Sequence, residues 1–108
     1  MARLSTSAGA AAPVPDPTSV NLNRMLARLQ QILITPHPET ESRLRASSLE
    51  REKVGKNLDY ANSLILRLEQ DAQNIKIPAK RQDTQAELFR KREIILRLEE
   101  RLQELNEV

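Results

Sequence analysis

The chain contains no cysteine and no tryptophan, and its 108 residues include one histidine, one tyrosine, one phenylalanine and two glycines. Each shortage excludes something. Without cysteine there is no disulfide framework and no thiolate metal site. His37 is alone between two prolines, so there is no histidine cluster for a metal and no two-imidazole mechanism. Gly9 and Gly55 are isolated, so no glycine-rich loop cradles a phosphate. Two aromatic rings are too few for an ordinary globular core, where such side chains supply much of the buried area. No apolar run approaches the roughly 18 residues needed to cross a bilayer. No secretory apolar segment follows Met1, and no Asn-x-Ser/Thr acceptor occurs. An intracellular protein is expected, cytoplasmic or nuclear. A mitochondrial location is the weaker reading: residues 1–15 lack acids, but their single Arg3 makes no basic amphipathic face.

An excess of charge of one sign is also lacking. The net charge of +2 arises in the first 35 residues, where Arg3, Arg24 and Arg28 stand against Asp16. Residues 36–77 hold seven basic and seven acidic side chains, and residues 78–108 hold seven of each. A phosphate-binding stripe shows an uncompensated excess of Lys and Arg. Mixed signs read instead as the solvated surface of helices.

What is abundant points the same way. The chain is 30% charged and rich in Leu, Ile, Arg, Glu and Gln, the composition of long helices and coiled coils. Residues 1–15 hold small residues and two prolines, bury nothing and are expected to be disordered. A short amphipathic helix is placed within 16–35. Asp16 caps it, Pro17 opens it, and Leu22, Met25, Leu26, Leu29, Ile32 and Leu33 form one stripe. Pro36 and Pro38 stop it. A second helix restarts near Pro38 or Glu39 and runs to about Lys76. Its heptad core is Leu44, Ser47, Arg51, Val54, Leu58, Ala61, Ile65, Leu68, Ala72 and Ile75, with Ser47 and Arg51 weakening the first half. Gly55 is a soft point in it. A third helix is expected from about 85 to 106, because Thr84 and Glu87 fit a capping box. Its core positions are Leu88, Lys91, Ile95, Leu98, Leu102 and Leu105.

These patterns predict an all-α protein in which residues 39–107 form a two-helix antiparallel coiled-coil hairpin; the alternative is one long helix kinked at Pro78 in a parallel oligomer. Pairing residues whose numbers sum to 163 matches six layers, from Leu58–Leu105 to Ile75–Leu88, and implies a loop over about 77–84. The short helix is given room only beside the first half of its long neighbour. Leu64, Leu66, Leu49, Tyr60, Phe89, Ile94 and Leu96 then lie off the seam, and something outside the hairpin must cover them.

The candidate partner-binding residues are therefore the seam (Leu58, Ile65, Leu68, Ile75, Leu88, Ile95, Leu98, Leu102, Leu105) and a second stripe (Leu64, Ile94, Leu96). No catalytic, cofactor or metal residue is assigned. The expected function is that of a non-enzymatic coiled-coil subunit or adaptor. Its partners would be other helical proteins, in a hetero-complex rather than a homodimer. The build resembles small helical subunits of larger scaffold assemblies. A first alternative is a nuclear nucleic-acid-associated factor using Lys80-Arg81 and Arg90-Lys91-Arg92. Only Phe89 is there to stack on bases, which weighs against it. A second is a SNARE-like or vesicle-tethering component, since a long heptad series with a central Arg51 is similar to SNARE helices. Pro78 interrupts that series, and neither a membrane anchor after Val108 nor a cysteine for lipidation is present.

Overall fold

The computed structural model describes residues 17–107, which form four helices and no strand: α1 (Pro17–Leu33), α2 (Pro38–Ala46), α3 (Ser48–Ala72) and α4 (Pro78–Asn106). The expected tail and the Asp16 cap lie outside the described residues. The chain is all-α, and α3 and α4 pack against each other as an antiparallel hairpin, not as one kinked helix.

Prolines set three helix starts. Pro17, Pro38 and Pro78 each open a helix. A first-turn residue has no intrahelical use for its N–H, so the missing donor is harmless there. This corrects the expected start of the last helix. Pro78 begins α4, Lys80 to Asp83 are ordinary helix formers, and Thr84 lies inside the helix instead of capping it. The connection is residues 73–77, shorter and earlier than expected. Arg81 Nη1 donates to the Ile75 carbonyl at 3.0 Å and pins this turn to α4.

The second helix is also not continuous. Ser47 is extended (φ −122°, ψ 113°) and divides it into α2 and α3. Its hydroxyl accepts from the Glu50 amide at 3.2 Å, so the serine at a nominal core position is an N-cap. Arg51 answers the other side of the break. Its Nη1 donates to the carbonyls of Leu44 and Arg45 at 2.8 and 3.0 Å, two acceptors left orphaned by the end of α2. Its Nε reaches Asn106 Oδ1 at 2.7 Å, which fastens the break to the end of α4. Two heptad mismatches in the sequence are thus the two parts of a helix junction.

The short helix α1 is not confined to the first half of its neighbour. It lies against both α3 and α4. Ser19 sits near Leu68, Ala72, Leu88 and Lys91, while Leu33 sits near Arg97 and Arg101. It therefore runs parallel to α4 and antiparallel to α3, completing a three-helix bundle. Leu22, Leu26, Leu29 and Leu33 all join the core. The hairpin's second stripe is partly covered by its own chain: Leu64 is buried and Ile94 is half-buried against the core.

The register between α3 and α4 differs from the expected one. Contacts join residues whose numbers sum to 157 (Arg51 and Asn106, Gly55 and Leu102) or 161 (Asn62 and Glu99, Glu69 and Arg92). The helix that begins at Pro78, six residues before Thr84, slides its whole face along α3 by up to about a turn and a half.

Candidate partner-docking face

The expected partner-binding residues divide sharply by exposure. Leu58, Leu64, Ile65, Leu88, Ile95, Leu98 and Leu105 are buried within the chain, and Leu68, Ile75, Ile94 and Leu102 are partly buried against the same core. Leu96 alone of the twelve is open to solvent, at 54%. The seam holds this protein together, and only the remainder is available to a partner.

That remainder has a definite place. A helix turns 100° per residue, so positions three and four apart share a face. On α3, Leu66 follows Asn62 by four and precedes Glu69 by three. On α4, Leu96 follows Arg92 by four and precedes Glu99 by three. Asn62 Nδ2 donates to Glu99 Oε2 at 3.0 Å, and Arg92 Nε donates to Glu69 Oε2 at 2.9 Å, with Nη2 on the other carboxylate oxygen. These two ties bridge the helices on the side away from α1, and Leu66 and Leu96 stand just outside them. Phe89, two turns before Leu96 on the same side of α4, is 60% exposed. The face turned from α1 therefore presents three large apolar side chains around a polar clasp. Hydrogen bonding to Glu69 raises the Arg92 pKa above its ordinary value against the opposing effect of burial, with the Glu69 and Glu99 charges adding to the rise.

Beyond the Asn62–Glu99 tie, the same face opens into a groove of about 270 Å³ between α3 and α4. Gly55 makes it: with no side chain there, Leu58 and Leu102 form an apolar floor, and Asp59, Glu99, Gln103 and Glu107 stand at the rim. A Cβ on Gly55 would lie 3.6 Å from Leu102, so close helix approach does not demand this glycine.

The two basic clusters are largely spent within the chain. Arg81 holds the turn, Lys91 pairs with Glu87 at 3.2 Å, and Arg92 belongs to the clasp, which leaves Lys80 and Arg90 exposed. Among the described residues no titratable side chain is buried, and no three His, Cys, Asp or Glu groups converge as metal ligands. None of the described helices is long and apolar enough to cross a membrane. His37 accepts from the Glu39 amide through Nδ1 at 3.4 Å, a long contact at the start of α2.

Arg101 is the residue that heptad reasoning passes over. It donates to the Leu33 carbonyl at 3.2 Å, to Glu41 at 3.0 Å and to Glu104 at 3.1 Å, joining α1, α2 and α4 at one end of the bundle. It lies off the α3–α4 seam, and nothing in a pattern of apolar spacing marks it.

Comparison with protein-family models, with curated proteins and with solved structures finds no match to this chain.

Proposed function

We propose that this chain is a non-enzymatic helical subunit or adaptor of a multi-protein complex, acting by helix-to-helix contact of the coiled-coil kind. The observation that carries the reading is the α3–α4 face turned away from α1, where Leu66, Phe89 and Leu96 are each more than half exposed around a fixed polar clasp. Single exposed apolar residues are common on any protein, whereas a group of them on one rigid face marks an interaction surface. Two adjacent helices also offer a partner helix a ready groove to lie in. A catalytic acid or base needs a concave and partly dry site to tune it, and none of the described carboxylates is buried. The test is affinity purification from the native cell with quantitative mass spectrometry, comparing the wild type with Leu66→Asn/Leu96→Asn. Proteins lost with this variant, but retained with the outward-facing Leu49→Asn, are the expected result. An unchanged set of co-purifying proteins refutes the assignment of the face.

A further inference from the structure

We propose that Ser48 accepts a phosphate from an arginine-directed serine/threonine kinase, and that this phosphate draws Arg51 off the end of α2 and keeps the last turn of α2 unwound. The inference is separate from the reading of the α3–α4 face. It stands on the junction between α2 and α3.

Residues 43–49 read Arg-Leu-Arg-Ala-Ser-Ser-Leu. Counted from Ser48, arginines stand five and three residues before it, and a leucine directly follows. Kinases of this class select that pattern: their carboxylates pair with the two guanidiniums, and an apolar pocket takes the residue after the acceptor. Arg43, Arg45 and Ser48 are exposed, and Leu49 is 60% exposed. The fold itself makes little use of these side chains. Arg43 forms no ion pair among the described residues, Arg45 reaches Glu41 only at 4.0 Å, and Leu49 lies outside the core. Thr84 comes nearest to the same pattern, with Arg81 three residues before it. There, however, Ala79 occupies the fifth place and Gln85 follows, Thr84 is half-buried within α4, and Arg81 is held by the Ile75 carbonyl.

A kinase reads these places on an extended chain, where Arg43 and Arg45 fall on one side. Within α2 they point about 200° apart. The last turn of α2 must therefore unwind, and the junction permits it. Ser47 is already extended, α2 has nine residues, and Leu44 is its one buried side chain. So short a helix is marginal without packing. Its end is held by Arg51, which donates to the Leu44 and Arg45 carbonyls.

The step is transfer of the γ-phosphoryl group of ATP. Ser48 Oγ bonds to phosphorus as the bond to the β-phosphate oxygen breaks, the hydroxyl proton passes to the kinase's catalytic aspartate, and ADP leaves. The product carries close to two negative charges and three acceptor oxygens. Ser48 and Arg51 are three residues apart on one face of α3, and both wall the same hollow as Asn106. Glu52 on that wall is matched by Lys56. A guanidinium pairs more strongly with a phosphate than with neutral carbonyls or an amide. Arg51 then leaves Leu44, Arg45 and Asn106, and α2 loses both its cap and this tie to α4. The first turn of α2 stays fastened through Glu41 and Arg101.

The full-length chain, incubated with ATP and the catalytic subunit of a kinase selecting arginine at these two places, should gain one phosphate on Ser48. Ser48→Ala should abolish it. Arg43→Ala and Arg45→Ala should each lower kcat/KM at least tenfold with unchanged circular dichroism, while Arg81→Ala should not. Amide exchange followed by NMR should be at least several-fold faster at residues 43–47 in the phosphorylated protein. In Arg51→Gln those amides should already be fast, and phosphorylation should add little. The chain purified from its native cell under phosphatase inhibition should carry the same phosphate. Labelling of Thr84 in place of Ser48, full activity on Arg45→Ala, or an unmodified Ser48 in the native chain overturns the assignment of the site. Unchanged exchange at residues 43–47 after phosphorylation, or an equal acceleration in Arg51→Gln, overturns the role of Arg51.

Discussion

Leu29→Ala tests whether α1 is an integral layer of the bundle. Leu29 is fully enclosed, whereas Leu49 on α3 is 60% exposed. Truncating a leucine to alanine removes three carbon groups. At about 0.8 kcal/mol each, their transfer alone costs about 2.4 kcal/mol. The space left behind adds to this, and measured values for buried leucines run from about 2 to 5 kcal/mol. Since α1 is a single 17-residue helix able to settle toward the void, a cost near the lower half of that range, about 2.5–3.5 kcal/mol, is expected. Leu49→Ala should stay within about 0.5 kcal/mol of wild type. Both variants are unfolded in urea at one protein concentration and followed by circular dichroism. With an unchanged slope of about 1–3 kcal/mol per molar urea, the Leu29→Ala midpoint should fall by one to a few molar. If the two variants unfold at the same midpoint, α1 is not part of the core and the three-helix account is wrong.

Other perturbations probe individual joints. Leu98→Asp places a charge at a fully buried position and should cost several kcal/mol, seen as loss of most helical signal, while His37→Ala, whose long contact is exposed, should change stability by less than about 0.5 kcal/mol. Ser47→Ala should cost about 1 kcal/mol as a lost N-cap, whereas Thr84→Ala should cost no cap at all; thermal unfolding showing the reverse order would restore the hairpin with a long loop. A double-mutant cycle between Arg101→Gln and Glu41→Gln should give a coupling of about 0.5–1 kcal/mol that shrinks in high salt, because both side chains are partly exposed. No measurable coupling would remove Arg101 from its role at the end of the bundle.

How far the sequence was legible depends on the kind of signal. The stripe Leu22, Leu26, Leu29 and Leu33 and the alternation of Leu58, Ile65, Ile95 and Leu98 gave helix type and buried face, because apolar spacing reports which side of a helix avoids water. Pro38 reads as a helix start from its first-turn fit, and Pro78 opens α4 by the same argument, although the capping-box pattern at Thr84 points to a later start. Moving the start from Thr84 to Pro78 displaces the loop and the register together. Ser47 and Arg51 were visible as faults in a heptad, yet their meaning needs the backbone: an extended residue creates orphan carbonyls, and only then does an arginine one turn later become a cap. Apolar spacing places Leu66, Phe89 and Leu96 off the seam, but it groups Leu64 and Ile94 with them, because periodicity within two helices does not show where a third one lies.

The central claim is that this chain works through the exposed face of its α3–α4 hairpin. Hydrogen–deuterium exchange on the full-length protein, alone and in the complex purified from its native cell, tests it most directly. Peptides spanning Leu66 and those spanning Phe89 to Leu96 should exchange at least several-fold more slowly in the complex, while peptides of α1 change little. Slowing confined to α1 and α2, or none anywhere, would contradict the account.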